Sequence, residues 1–489
     1  MRSVRRSLTA VVLLGAAALI ASACGPAGGG ALTYATECPV DALDTADGTV
    51  DITLWHSYVG LTEQTLNAIA DSYNAGQDRV HVDVQSQGVG YAELQRAYER
   101  AIPADDLPDI AILEDTYTQS LADLGTVLPA AQCAEADGYT DFQDDFLPIT
   151  TDYYSVPGTV NGEETDVLLP GSVNLATALL YYNRDHFEAA GLDPDDPPQT
   201  LDELADAARA IKDAGITDQP FVWNMQPWMV EFWLTGAGAP LVNNNNGRDI
   251  EGATAAAFDN PTTHRLFEFL DQMQEEGLIN PLPGTDAQFD HYFAMGLQEA
   301  SMTVETSTAV TTINAVLEGT ASGEDLGLGD LELPEIDVNL DAAEFPGLDA
   351  PGQGQMGGGV WYIASTVGDE RQAAAWDFMK YVNEPEQQAL WHTEGSYLPS
   401  RGDVAEDPVI QTFWEDTRPG RWLRKAFTLA EGLDPEFPGP LIGPYRQVRD
   451  AVGDALDRMM FDGMSPAETI ARADDDINAA IERYNEVNF

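Results

Sequence analysis

Residues 50–115 read VDITLWHSYVGLTEQTLNAIADSYNAGQDRVHVDVQSQGVGYAELQRAYERAIPADDLPDIAILED. Val50 to Leu54 alternates apolar and polar into Trp55, the period of a half-buried strand. Leu61, Leu66, Ile69 and Tyr73 then recur at helical spacing. Val80 to Val84 alternates strictly and gives a second strand. Tyr91 to Ala101 reads as a helix that stops before Pro103, because proline cannot continue one. Asp109 to Leu113 is a third strand and ends at Glu114-Asp115. The order β-α-β-α-β predicts an α/β fold with a largely parallel sheet and helices on its faces. Ligands of open sheets of this kind sit beyond the carboxyl ends of the strands. That rule points at Trp55-His56, at Gly88 to Tyr91 and at Glu114-Asp115.

Toward the N-terminus, Arg2, Arg5 and Arg6 precede an apolar run from Leu8 to Ala21 that ends at Ser22-Ala23-Cys24. This is the charge, length and small-residue exit of a secretory signal over 1–23. The run is shorter than the roughly 20 residues a spanning helix needs. Ser-Ala-Cys looks like a bacterial lipobox, with Ala21 where such boxes more often carry Leu. Lipid on Cys24 would place the chain at the outer face of a membrane. Residues 24–48, glycine-rich and then polar, read as a flexible tether.

Net charge over the 489 residues is −59, and the lysines are Lys212, Lys380 and Lys425 alone. Such a chain repels nucleic acid. The acidity is spread along its whole length, which suits a solvated surface at high ionic strength better than a cationic ligand. With Cys24 lipidated, Cys38 and Cys133 remain, and an even pair outside the cell is most simply a disulfide. The six histidines are scattered without metal-ligand spacing, so no metal and no cofactor are expected.

A second body follows the first. Val167 to Pro170, Leu179 to Tyr182, Ala300 to Val304 and Val360 to Ser365 read as strands. Thr200-Leu201-Asp202-Glu203 is a capping box that opens a helix running to Gly215. Leu266 to Glu276 after Asn260-Pro261, and Asp369 to Val382, read as helices. Ser465-Pro466-Ala467-Glu468 opens a last helix with Ile470, Ala473, Ile477 and Ile481 on one face. Asn243 to Asn246 reads as a turn, and Gly319 to Pro351 as a long irregular excursion.

Five stretches carry a resemblance: ITLWHSYVG from Ile52, LPDIAILE from Leu107, LLYYNRDHFEAAGLDP from Leu179, GGGVWYIAS from Gly357 and YVNEPEQQALWHTEGSYLPSR from Tyr381. Together they resemble extracellular solute-binding proteins of ABC importers, of the carbohydrate type and closest to the glycerol-3-phosphate-binding branch. The resemblance spans roughly Asp51 to Asn485. It implies a periplasmic-binding-protein-like fold of class II, two α/β lobes joined by crossing hinge strands and closing on a solute. The lobes are expected at 49–172 with about 300–358, and at 173–299 with about 359–489. It also implies a monomer that partners an ABC permease and does no chemistry.

The resemblance carries a pocket over residue by residue. Tyr91 matches a lobe-one tyrosine that meets the ligand. Asp115 matches an acidic acceptor of ligand hydroxyls, with Glu114 beside it if the register slips by one. Thr306 stands where the branch has a serine, and Gly357 where backbone N–H groups approach the ligand. Tyr397 matches a tyrosine donor, and Arg449 the arginine that clamps phosphate, with Arg446 as the alternative. Trp228 falls at an aromatic stacking position. Two positions depart from the branch: Ala176 replaces a serine, with Asn174 and Thr177 beside it, and Met225 replaces an aromatic, with Trp223 close by. A missing hydroxyl weakens a phosphate site by about 1–3 kcal/mol if a buried oxygen goes unpaired. A missing ring leaves room for a bulkier headgroup, so a glycerophosphodiester or a sugar fits better than bare glycerol-3-phosphate.

Each residue also has a structural reading. Arg449 is equally a helix-surface arginine paired with Asp450 or another carboxylate. Trp223, Trp228 and Trp233 are either core or stacking faces. Gly357-Gly358-Gly359 is an anion nest or a crossover where side chains do not fit. Glu114 and Asp115 would also serve a secreted glycoside hydrolase, whose two carboxylates stand about 5–10 Å apart. A structural surface protein would have no cleft at all.

Overall fold

The computed structural model describes residues 32–34, 38–160, 163–284, 289–323, 326, 333 and 336–489. The signal, Cys24 and the glycine-rich start of the tether lie outside the described residues. Two sheets organise the chain. The first runs Val80–Ser86, Val50–His56, Ile110–Glu114, Gly357–Ala364, Val127–Leu128, with Ser172–Ala176 also paired to Gly357–Ala364. The second runs Ile279–Leu282, Phe221–Asn224, Met302–Thr306, Ala178–Asn183, Leu340–Glu344. A smaller sheet joins Leu32–Tyr34, Ser155–Val160 and Glu163–Leu168.

Each large sheet is parallel over its first three strands and then turns antiparallel. The switch falls on Gly357–Ala364 in one lobe and on Ala178–Asn183 in the other. Both are strands that arrive from the opposite lobe, so they enter the sheet head-first against its direction. The sheets are therefore mixed rather than largely parallel.

The pairing also corrects the expected lobe boundaries. Met302–Thr306 lies between Phe221–Asn224 and Ala178–Asn183 in the second sheet. Leu340–Glu344 joins the same sheet, although it falls in the expected irregular excursion. Conversely, Gly357–Ala364 pairs along Ile110–Glu114 in the first sheet, and Asp369–Val382 packs on that lobe. Lobe one thus takes the segment from about 357 to 400, and lobe two the segment from about 300 to 344. Strand register with distant partners decides this, and local spacing does not contain it. The tether is shorter than expected as well. Cys38 is buried and bonded to Cys133, and the short helix Val40–Thr45 packs on Asp369–Val382, so 38–48 belongs to the folded lobe.

The helices form where local signals put them. In Tyr91–Ala101 the buried face is Leu94, Ala97, Tyr98 and Ala101, the spacing of one helical stripe. Thr200 accepts from Glu203 N while Glu203 Oε2 accepts from Thr200 N. Asn260 Oδ1 caps Pro261–Glu275 by accepting from Thr262 N and Thr263 N, so that helix begins five residues before Leu266. Asn244, Asn245 and Asn246 all have positive φ, which makes the asparagine run a left-handed turn.

Among the described residues two strand-to-strand connections cross between the large sheets, and the chain passes between the lobes again near residue 400. One is Thr177 alone, between Ala176 and Ala178. The other returns from Glu344 to Gly357. They leave lobe one side by side, with Gly357 opposite Ala176 and Gly358 opposite Leu175. Gly358 has φ +134, and a Cβ there would stand 1.9 Å from Asn174 O. No L side chain fits, so this glycine is required by the crossover itself.

Candidate functional site

A cavity of about 740 Å³ opens between the lobes. Tyr91, Glu114, Asp115, Thr177, Trp228, Thr306, Gly357, Tyr397 and Arg449 all line it, and so do Ala176 and Arg446. Trp55 and His56 do not. Lobe one contributes the ends of Ile110–Glu114 and Gly357–Ala364, and the start of Tyr91–Ala101. Lobe two contributes the end of Met302–Thr306 and the helices Pro227–Gly236 and Tyr445–Met460. The carboxyl-end rule therefore holds for Tyr91, Glu114 and Asp115.

On the lobe-one wall, the Tyr58, Tyr91 and Tyr397 rings pack within 5.7–6.3 Å of one another through Tyr58. Tyr397 stacks on Trp391, with centroids 5.4 Å apart. Asn174 holds this wall from below. Its Nδ2 donates to Tyr58 Oη at 2.6 Å, and its Oδ1 accepts from Trp361 Nε1 and Trp391 Nε1. Asn174 is thus a brace and not a ligand group. A Cβ on Gly359 would strike Tyr58 Oη at 2.1 Å, whereas one on Gly357 would meet Asp115 Oδ2 at 3.5 Å and Phe232 at 3.7 Å. Gly358 and Gly359 are therefore fixed by packing. Gly357 alone is an open backbone face in the cleft.

Asp115 is buried and accepts from Tyr153 Oη at 2.8 Å. Burial pushes its carboxyl up to about 7, against the pull of Arg449 and with the push of Glu114. Near neutral pH it thus serves as a donor as readily as an acceptor. Thr177 is committed to the crossover: its Oγ1 donates to Gln355 O at 3.0 Å, and its carbonyl accepts from Ser307 N at 2.7 Å. Thr306 Oγ1 caps the following turn by accepting from Thr308 N.

Of the three tryptophans, Trp223 and Trp233 are fully buried core, packed edge to face at 5.6 Å. Trp228 is half-buried, lines the cleft and meets Phe232 at 5.0 Å. Met225 is buried away from the lining.

Arg449 reaches the cleft but is not a free cation. Its Nε and Nη2 each lie 2.8 Å from the Glu231 carboxylate, and Nη1 donates to Glu114 of the other lobe. Glu231 is fully buried and also accepts from Tyr445 Oη at 3.0 Å. Burial pulls the guanidinium down, yet Glu231 and Glu114 outweigh it and hold it well above its usual value. Arg446 also lines the cleft, with Asp450 close enough to feel its charge.

Glu231 escaped the sequence reading, although a signal was present. It is the lone charge in Pro227–Leu234, an otherwise apolar helix start, and a charge inside such a run needs a buried partner. Three further lining groups had no local signal. Asn224 Oδ1, Thr303 Oγ1 and His291 Nδ1 are buried without a hydrogen-bond partner among the described residues. His291 Nε2 meets Glu305 at 2.9 Å. Asn224 and Thr303 come together through the pairing of the second sheet and His291 from the helix Asp290–Gly296, and they offer the cleft donors and acceptors.

Among the described residues no helix is long and apolar enough to cross a membrane, and no cluster of side chains could hold a metal. The sequence profile of the bacterial extracellular solute-binding proteins matches residues 68–417. The sn-glycerol-3-phosphate-binding periplasmic protein UgpB of Pectobacterium atrosepticum is 25% identical over 462 residues, 93% of this chain and 97% of that one. Its Escherichia coli K12 counterpart is 24% identical over 446 residues, 91% and 94% of the two chains. UgpB from Mycobacterium tuberculosis, solved with glycerophosphocholine, superposes with a TM-score of 0.69 at 17% identity, covering 90% of this chain and 99% of that one. The GacH receptor of Streptomyces glaucescens, solved unliganded and with acarbose, gives 0.68 at 19% identity, covering 89% and 99%. These relatives are binding proteins rather than hydrolases. The chain belongs to the family of bacterial extracellular solute-binding proteins and is a solute-binding protein of an ABC importer, not an enzyme.

Proposed function

We propose that the solute is a glycerophosphodiester, such as glycerophosphocholine, captured between the lobes for delivery to an ABC permease. One observation carries this reading. Trp228 and Phe232 line the cleft from lobe two together with Arg449, whose Nη1 reaches Glu114 of lobe one, and Tyr91, Gly357 and Tyr397 line it from lobe one. Arg449 Nη1 suits one phosphate oxygen. The Trp228 ring and the Glu114 carboxylate suit a quaternary ammonium. Asp115 and Tyr397 suit the glycerol hydroxyls. Solute bridging both walls stabilises the closed arrangement, which is the shape a permease reads. The protein works as a monomer at the outer face of the membrane, held through lipid on Cys24.

A second reading is a neutral oligosaccharide. It is favoured by the pairing of Arg449 with Glu231 and Glu114, which leaves little free positive charge for any anion. Calorimetric titration of the purified protein with glycerophosphocholine and maltotriose separates the two. The expected result is saturable binding of the diester, weakened about tenfold in Trp228→Ala, in line with a lost aromatic–cation contact. Binding of maltotriose alone would refute the diester reading.

A further inference from the structure

We propose that Glu231 sets the charge class of the solute, excluding dianionic phosphomonoesters. This rests on the reading that the solute sits against Arg449. An unpaired arginine fork would grip a phosphate dianion through two parallel N–H bonds. Here one edge of the fork, Nε and Nη2, is turned inward onto Glu231. Glu231 stands three residues after Trp228 on Pro227–Gly236, so both occupy one helix face. Its carboxylate has no exposed surface. It cannot swing aside into water when an anion arrives.

Glu114 differs. Its side chain is 31% exposed and belongs to the opposite lobe, so it is the partner that a solute can displace. What remains at the cleft is Arg449 Nη1 and Arg446, set against Glu231, Asp450 and the displaced Glu114, with Asp115 adding a further negative charge above about pH 7. A dianion added there joins a cluster without excess positive charge. A monoanion with its own cation, or a neutral solute, does not meet that repulsion.

The test compares wild type, Glu231→Gln and Glu231→Asp by calorimetric titration. A buffer near pH 8 keeps glycerol-3-phosphate dianionic, since the second phosphate pKa is about 6. Salt near 0.1 M keeps the Debye length at about 10 Å. The probes are glycerol-3-phosphate, its monoanionic methyl ester, glycerophosphocholine and maltotriose. Wild type is expected to bind the methyl ester at least about tenfold more tightly than the dianion. Glu231→Gln should gain about tenfold or more for the dianion relative to the methyl ester, and Glu231→Asp should not.

An unchanged ratio in Glu231→Gln overturns the proposal, as does an equal gain in Glu231→Asp, which would point to shape rather than charge. Wild type binding the dianion as tightly as its ester overturns it without any variant, should Glu231→Gln fail to fold. If wild type binds maltotriose alone, the glycerophosphodiester reading fails. A gain of dianion binding in Glu231→Gln would then still support the charge role of Glu231, and no gain would overturn it.

Discussion

Replacing Arg449 by leucine tests the electrostatic frame of the cleft. The fork makes two N–H bonds of 2.8 Å to Glu231, whose side chain has no exposed surface. Removing the arginine leaves that carboxylate with a single partner, Tyr445 Oη. A buried charge stripped of its counterion costs about 3–5 kcal/mol. Glu114 adds little, because it is 31% exposed and can turn to water, where such pairs contribute under about 1 kcal/mol. Arg449 and Glu231 both belong to lobe two. For a folding unit of that size each kcal/mol shifts the midpoint by about 2–4 °C, so its melting should fall by about 6–20 °C. Combining Arg449→Leu with Glu231→Leu removes both charges and should recover most of the loss, because apolar replacement of a whole buried pair is often neutral. The assay is differential scanning calorimetry of solute-free protein, since bound solute alone raises stability, with the two lobes fitted separately where they unfold apart. A shift below about 2 °C for the single variant, or a double variant no more stable than the single, would refute the reasoning.

Four further outcomes are expected. Asp115, neutral in the folded protein up to about pH 7, binds a proton that the unfolded chain releases near pH 4. Its contribution is full below about pH 4 and is lost as pH rises to about 7, by up to about 4 kcal/mol. Asp115→Asn should flatten that part of the stability profile in urea melts at stepped pH, and an unchanged slope would contradict it. Reducing Cys38–Cys133, which closes a loop of sequence separation 95, should lower stability by about 2–5 kcal/mol; a melt indifferent to reductant speaks against a structural role. Gly358→Ala should misfold or destabilise by about 1–3 kcal/mol or more, because its Cβ meets Asn174 O. Gly357→Ala should fold normally and lose solute binding; normal solute binding in Gly357→Ala would remove that backbone face from the site.

The first half of lobe one was readable because its information is local. Val80–Ser86 and Tyr91–Ala101 announce themselves by period, and Thr200 and Ser465 announce helix starts by capping chemistry. Tyr91, Glu114 and Asp115 were also readable from the carboxyl ends of their strands, whereas Thr306, Gly357, Tyr397 and Arg449 were readable only through the family resemblance. Nothing in the spacing of Tyr91, Thr306 and Arg449 says that they meet. Strand ownership was not readable at all. Met302–Thr306 and Gly357–Ala364 look alike as apolar runs, and only pairing with distant strands assigns each to its sheet. Leu340–Glu344 was missed because LDAAE, with four small or acidic positions, has almost no strand signal away from its neighbours. Glu231 was missed because a glutamate on a helix is assumed to face water, and only the apolar residues around it contradict that assumption.

The two strand-to-strand crossings between the sheets are unequal in a mechanical sense. Thr177 is a single-residue link, tied at its hydroxyl to Gln355 O and at its carbonyl to Ser307 N, while the longer return from Glu344 to Gly357 is anchored on lobe two through Pro346 and Gly347 and on lobe one through Gln355 and Tyr153. A single-residue link bonded to the longer one beside it makes a pivot rather than a slide. Groups next to the pivot, such as Ala176 and Gly357, keep their separation whichever way the lobes turn. Groups far out on the lever arms separate with the smallest rotation. A solute that touched the pivot alone would therefore do no work on the lobes, however tightly it held. Grip near Thr177 and leverage far from it are separate properties of a solute, and transport depends on the second.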